Sequence, residues 1–212
     1  MNVSNAKPRP HDLLALAPGA PPFADAPPWV DAALARAPFA VVRRAPCVGT
    51  AIAVGVRGTT RSERFGTWLE SRWIDVVLTP ETLRLTKPAA SRSHLPAFAL
   101  LHAIAPILDA TGLAWGPTGS TGFELASAMP AVTFASDLDL LVRAPTPLSR
   151  TDASRLLDAL AHEAARAATR IDVQMETPDA AFSLADYARQ NIRVLLRHAD
   201  GPRLVADPWA AP

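Results

Sequence analysis

Asp137-Leu138-Asp139-Leu140-Leu141-Val142 sets acidic and apolar residues on alternate positions at its start. This is the pattern of a strand with one face in a core. On a strand over Leu138–Val142, Leu138 and Leu140 point inward, and Asp137 and Asp139 share the other side. Two carboxylates held that close raise each other's pKa unless a cation lies between them. An all-oxygen pair of this kind suits Mg²⁺, which keeps several waters and takes further ligands from substrate phosphates.

Working outward, Arg170-Ile171-Asp172-Val173-Gln174-Met175-Glu176 alternates in the same way, with Asp172, Gln174 and Glu176 on one side. If the two strands are neighbours, Asp172 becomes a third carboxylate near the metal, suited to orient or deprotonate an attacking hydroxyl. Upstream lies Gly116-Pro117-Thr118-Gly119-Ser120-Thr121-Gly122-Phe123-Glu124. Thr121 and Glu124 have capping-box spacing, which predicts a helix start whose free N–H groups favour phosphate. Gly119 permits close backbone approach and Ser120 supplies a hydroxyl. The lysine of a Walker loop is absent. Taken singly, an Asp-x-Asp strand is more often a solvated face, a Gly-Ser turn is common, and Asp172 is ordinary surface. Their order along the chain supports a metal-dependent phosphoryl or nucleotidyl transfer site.

The rest of the chain reads as an α+β fold with two parts. A smaller α+β domain over 1–90 carries a helix at Trp29–Arg36, strands at Phe39–Arg44, Thr50–Val56 and Trp73–Leu78, and a short helix at Ser62–Trp68. Lys87–His94 reads as a linker. The catalytic domain over 95–212 carries helices at Leu95–Leu108, Thr121–Met129, Asp152–Ala168 and Ser183–Gln190. Strands fall at Leu113–Trp115, Leu138–Val142, Arg170–Glu176, Ile192–Arg197 and Arg203–Ala206, giving a mixed sheet with helices.

Net charge is +1, too small for general attraction to nucleic acid or an anionic membrane. It divides unevenly: residues 1–94 hold 12 Lys and Arg against 7 Asp and Glu, and residues 95–212 hold 9 against 13. A basic part would suit an anionic substrate and an acidic part a metal; uneven surface scatter gives the same count. Arg57, Arg61 and Arg64 fall in or beside a loop-like Gly-Thr stretch, and Lys87 is one of two lysines. Guanidinium forks bind phosphate oxygens in pairs, so Arg57, Arg61 and Lys87 are candidates for phosphate contact. Arg143 is undecided between such a role and the surface. One cysteine, Cys47, excludes an internal disulfide, and the five histidines lack ligand spacing. The apolar run Leu13–Ala17 is too short for a signal peptide, and no apolar run has membrane length, so a soluble cytoplasmic protein is expected.

With these pieces in place, the order Gly-Ser, Asp-x-Asp, lone Asp resembles the nucleotidyltransferase superfamily. More closely, the chain resembles the malonate decarboxylase holo-acyl-carrier-protein synthases, or phosphoribosyl-dephospho-coenzyme A transferases. That likeness takes in Arg9-Pro10-His11-Asp12-Leu13-Leu14, Val54-Gly55-Val56-Arg57-Gly58 with Arg61 and Arg64, Gly116–Leu125, Ser136–Leu140 and Asp172–Pro178. Ala15 and Ala128 depart from it, standing where Trp and Gly are usual. The resemblance implies transfer of 2′-(5″-phosphoribosyl)-3′-dephospho-CoA from its triphosphate precursor to a serine of the apo acyl-carrier subunit of malonate decarboxylase, with release of pyrophosphate. It implies Asp137 and Asp139 on Mg²⁺, Asp172 at the serine hydroxyl, and Gly119 and Ser120 at the phosphates. Two rivals remain: a nucleotidyltransferase that adenylylates from ATP, and a non-catalytic module that binds a carrier or nucleotide.

Overall fold

Leu13-Leu14-Ala15-Leu16 has no alternation because it lies inside a sheet: β1 (Leu13–Leu16) is flanked by partners on both sides, and Leu14 is fully buried. The computed structural model describes residues 7–46, 48–60, 62–189 and 192–210. It divides into two units, Met1–Thr79 and Pro80–Pro212.

In the first unit, α1 (Pro28–Arg36) starts at Pro28, whose missing N–H is no loss in a first turn. It is followed by β2 (Phe39–Val42), β3 (Ala51–Arg57), β4 (Arg64–Glu70) and β5 (Ile74–Leu78). The sheet is antiparallel, in the order β4-β3-β2-β1-β5. Leu14, Val30, Ala33, Ala40, Val42, Val54, Val56 and Leu69 form its core. The helix expected over Ser62–Trp68 is instead β4. Arg64, Gly66 and Trp68 are exposed while Phe65 and Leu69 pack inward, a period of two that the short segment concealed. Cys47 lies outside the described residues.

The second unit comprises α2 (Pro80–Leu83), a 3₁₀ turn at Ala90–Arg92, α3 (Pro96–Asp109), β6 (Ala114–Pro117), α4 (Gly119–Ser127), β7 (Leu138–Arg143), α5 (Arg150–Arg166), β8 (Ile171–Glu176), β9 (Ala180–Ser183), α6 (Leu184–Ala188), β10 (Val194–His198) and β11 (Gly201–Val205). The sheet order is β11-β10-β9-β8-β7-β6, and β7 with β8 is the parallel pair, joined through α5. Helices α3 and α5 pack on each other and on β7 and β8. Leu138, Leu140, Val142 and Met175 are almost wholly buried, as the alternation requires. This is the α+β fold with a mixed sheet that the sequence indicates.

The stretch expected as a linker is fastened to the second unit. Arg92 forks onto Glu124 and also donates to the Val132 carbonyl at 2.6 Å. α2 meets β6 so closely that a Cβ on Gly116 would fall 1.8 Å from the Pro80 carbonyl oxygen. The capping box is also replaced. α4 begins two residues earlier, with Thr118 as N-cap, and Glu124 turns away from the helix start. It accepts from the N–H groups of Ala131 and Val132 at 2.7 and 2.8 Å and so ties down the loop leading to β7. Burial works against the Glu124 charge, but Arg92 and those two N–H groups outweigh it and hold its pKa below the ordinary carboxylate value.

Two expectations follow. A group with a lowered folded-state pKa stabilises the fold above its ordinary value and loses that contribution as pH falls through the lowered one. Glu124→Gln should therefore be less stable than wild type at neutral pH and show a shallower loss in acid, measured by urea unfolding from pH 7 to 3. Ala128 ends α4 at φ +57°. An L-residue in that left-handed region is strained by roughly 1 kcal/mol, so Ala128→Gly should stabilise by about 1 kcal/mol, and an unchanged or lowered unfolding midpoint would contradict this.

Candidate active site

The parallel register of β7 and β8 decides which carboxylates meet. Asp139 is paired directly with Asp172 on the neighbouring strand, near the N-terminal ends of both. β6 runs antiparallel to β7, with Pro117 opposite Leu140, so the turn into α4 arrives at the same place. There the Thr118 N–H donates to the Asp139 carbonyl at 2.9 Å. Gly119, at φ +57°, brings bare backbone against the Asp139 side chain: a Cβ would fall 1.9 Å from Oδ2. This position thus needs glycine for both its conformation and its space.

The first intrahelical bond of α4 runs from the Gly122 N–H to the Thr118 carbonyl. The N–H groups of Gly119, Ser120 and Thr121 therefore have no partner within the helix, at its positive end. Gly119 is exposed and Ser120 partly so, which leaves this end open to an anion. Gly122 lets the helix sit tight on β6, since a Cβ would meet the Pro117 carbonyl at 2.7 Å.

Asp137 departs from the sequence expectation. It lies one residue before β7, as the expected strand over Leu138–Val142 implies, but its carboxylate takes both arms of Arg170, at 2.9 and 2.8 Å. Arg170 immediately precedes β8, just as Asp137 precedes β7, so the parallel register places the two ends side by side. The Asp137 hydrogen bond and charge raise the Arg170 pKa. Sequence reading passed over Arg170, although its spacing one residue ahead of the second strand mirrors Asp137. The Arg170 side chain is 77% exposed, so the pair is solvent-screened.

At the other end of the same strands, Glu176 does not face solvent with Asp172. It is buried against Arg143, which also reaches Glu81 at 2.9 Å. Arg143 is thus a structural cation. Lys87 lies exposed in the loop after α2, away from any ion pair with a described carboxylate. Arg57 belongs to the first unit, on β3, and Arg61 lies outside the described residues. The structure therefore brings together Asp139, Asp172 and Gly119, with Ser120 next to Gly119 and Asp137 held by Arg170 just ahead of β7. Among the described residues, no group of three or more His, Cys, Asp or Glu is arranged to hold a metal ion with protein ligands alone. Two carboxylates and an open anion cradle fit an ion that completes its shell from substrate and water.

A mixed sheet whose parallel strand pair presents aspartates to a Gly-Ser helix start is an arrangement suited to a transferase. Residues 9–80 match the family model for the phosphoribosyl-dephospho-CoA transferase MdcG N-terminal domain, and residues 83–208 match that for its C-terminal domain. The chain belongs to the phosphoribosyl-dephospho-CoA transferase family. It is 46% identical to the protein of that name from Pseudomonas putida, with 96% of each chain covered. It is 43% identical to that of Pseudomonas aeruginosa, covering 96% of this chain and 95% of the relative. For Azotobacter vinelandii the identity is 40%, covering 99% and 98%. No solved structure matches the chain.

Gly119→Ala tests the close approach of Gly119 to Asp139. Displacing the carboxylate by about an ångström should lower turnover roughly 100-fold. The strained φ should cost about 1–2 kcal/mol of stability. Wild-type turnover in a folded Gly119→Ala protein would remove Asp139's position from the mechanism.

Proposed function

We propose that the protein transfers 2′-(5″-phosphoribosyl)-3′-dephospho-CoA from its triphosphate precursor to a serine of the apo acyl-carrier subunit of malonate decarboxylase. The observation that carries this reading is the pairing of Asp139 with Asp172 in front of the open start of α4, in a chain that matches both domains of the phosphoribosyl-dephospho-CoA transferase family along its length.

In the reaction, the serine oxygen attacks the phosphorus bonded to the ribose 5″-oxygen. A phosphodiester bond forms there as the bond to the pyrophosphate oxygen breaks. Asp172, exposed at the strand end, orients the hydroxyl and takes its proton. The N–H groups of Gly119 and Ser120 and the Ser120 hydroxyl bind the phosphates, and the dipole of α4 favours their charge. Lys87 is a further phosphate contact in this reading. Asp139 and Asp137 are the ligands proposed for Mg²⁺, with Asp137 exchanging Arg170 for the ion. The ion would neutralise triphosphate charge and stabilise departing pyrophosphate. Because in-line displacement at phosphorus depends mainly on positioning and charge, this small residue set is sufficient.

The test is incubation of the full chain with the triphosphoribosyl compound, Mg²⁺ and apo carrier, read by intact mass of the carrier. The carrier should gain the mass of the phosphoribosyl-dephospho-CoA group, and its serine-to-alanine variant should not. Asp139→Asn should lower the rate by about 1,000-fold or more, and omission of Mg²⁺ should abolish transfer. Adenylylation of the carrier from ATP alone would replace this reading with the ATP-dependent one. Full activity of Asp137→Ala and Asp139→Ala would leave a binding module.

A further inference from the structure

The outward face of β2, β3 and β4 in the first unit carries a second constellation. β3 and β4 pair so that Arg57 is opposite Arg64, Gly55 opposite Gly66, and Ala53 opposite Trp68. Val41 on β2 is opposite Gly55, and Arg43 follows on the same face. The inward residues of these strands, Val42, Val54, Val56 and Leu69, form the core. The three arginines are therefore on the exposed side, where a cavity of about 520 Å³ opens between Arg43, Arg57, Arg64, Val41, Gly55 and Gly66.

Three features set this face apart from ordinary solvated charge. Like charges directly across a strand pair destabilise the sheet, so Arg57 opposite Arg64 contributes nothing to folding. The neighbouring carboxylates do not neutralise them. Glu63 is held in the hairpin turn by the Thr59 hydroxyl and the Thr60 N–H, at 3.0 and 2.9 Å, and Glu70 pairs with Arg72 at 2.9 Å. None of Arg43, Arg57 and Arg64 forms an ion pair with a described carboxylate. The two facing glycines also leave bare backbone across which Arg43 lies flat. A Cβ on Gly66 would fall 2.3 Å from its Nη1, and one on Gly55 3.3 Å from its Cδ. The glycines thus aim a guanidinium into the cavity.

Trp68 stands on the same face of β4, four residues beyond Arg64, with 48% of its surface exposed. At the rise of a strand, its ring is roughly 13 Å from Arg64, a reach suited to an extended nucleotide with its base at one end and its second phosphate at the other. We propose that this face binds a purine nucleotide bearing at least two phosphates, with Arg43, Arg57 and Arg64 on the phosphates and Trp68 stacked on the base. Guanidinium forks match phosphate oxygens in pairs, and an exposed indole is the strongest stacking surface a protein offers. This assignment rests on the proposed donor in one respect: that donor carries an adenine and a pyrophosphate in its dephospho-CoA part.

The experiment is calorimetric titration of the full chain, without divalent cation, by ADP, 3′-dephospho-CoA, inorganic pyrophosphate and adenosine. ADP and dephospho-CoA should bind. The Arg57→Ala/Arg64→Ala double variant, altered only at exposed positions, should weaken both by at least about tenfold. Trp68→Ala should weaken them by about fivefold or more while leaving pyrophosphate unchanged. The proposal is overturned if ADP affinity ignores the arginines, or if pyrophosphate binds as tightly as ADP and Trp68→Ala changes neither, which would mark a bare charge patch. Failure of the transferase reading is distinct: the carrier would gain no mass from the triphosphoribosyl compound although these affinities held.

Discussion

The parallel pairing of β7 with β8 is the constraint on which the second unit's chemistry depends. A parallel pair requires a crossover, and α5 provides it, covering the sheet as it returns. The register then fixes three juxtapositions together: Asp137 beside Arg170 ahead of the strands, Asp139 beside Asp172 at their start, and Arg143 beside Glu176 at their end. A one-residue slip would break all three and turn Leu138, Leu140 and Val142 out of the core. Burial of those side chains is therefore also what holds the carboxylates in place.

The two ends of this strand pair handle charge in opposite ways. At the C-terminal end, Arg143 is buried between Glu81 and Glu176, so its charge is met by protein groups. Removing both glutamates would strand a buried cation. At the N-terminal end, two aspartates adjoin on neighbouring strands with solvent access, and the cation nearest Asp137 is an exposed arginine. A fold that closes its charges at one end and leaves them solvent-exposed at the other makes the open end the place where the proposed ion and phosphates would bind.

Much of this was legible in the sequence because it rests on period. The alternation in Leu138–Val142 and Ile171–Glu176 gave both strands and the inward leucines, and the residue order placed Gly119, Ser120, Asp139 and Asp172 together. What escaped it depends on contacts remote in sequence. Glu124 matches a capping box by spacing, yet Arg92 and the Ala131–Val132 N–H groups draw it elsewhere. Glu176 alternates with Asp172 but is claimed by Arg143. Arg64–Glu70 was hidden because Gly66 and the turn before it dilute a period of two, and β1 and β9 because short apolar runs give no period at all. Arg170 carries no motif of its own; only the register gives it a partner.

The same reasoning bears on the first unit. Its sheet is closed by an ordinary apolar core on one side, and nothing in that core requires Arg57 opposite Arg64 or glycine opposite glycine on the other. Gly55 and Gly66 weaken the strands they occupy, and facing arginines add repulsion. Four residues that each work against the sheet, set in alternate registers on one face beside an exposed tryptophan, fit an anion that offsets the repulsion and uses the space. Local costs of this sort gather where a protein meets its ligand. The exposed face of β2–β4 is therefore where the proposed nucleotide would offset those costs, as the aspartates of the second unit are where the proposed transfer would occur.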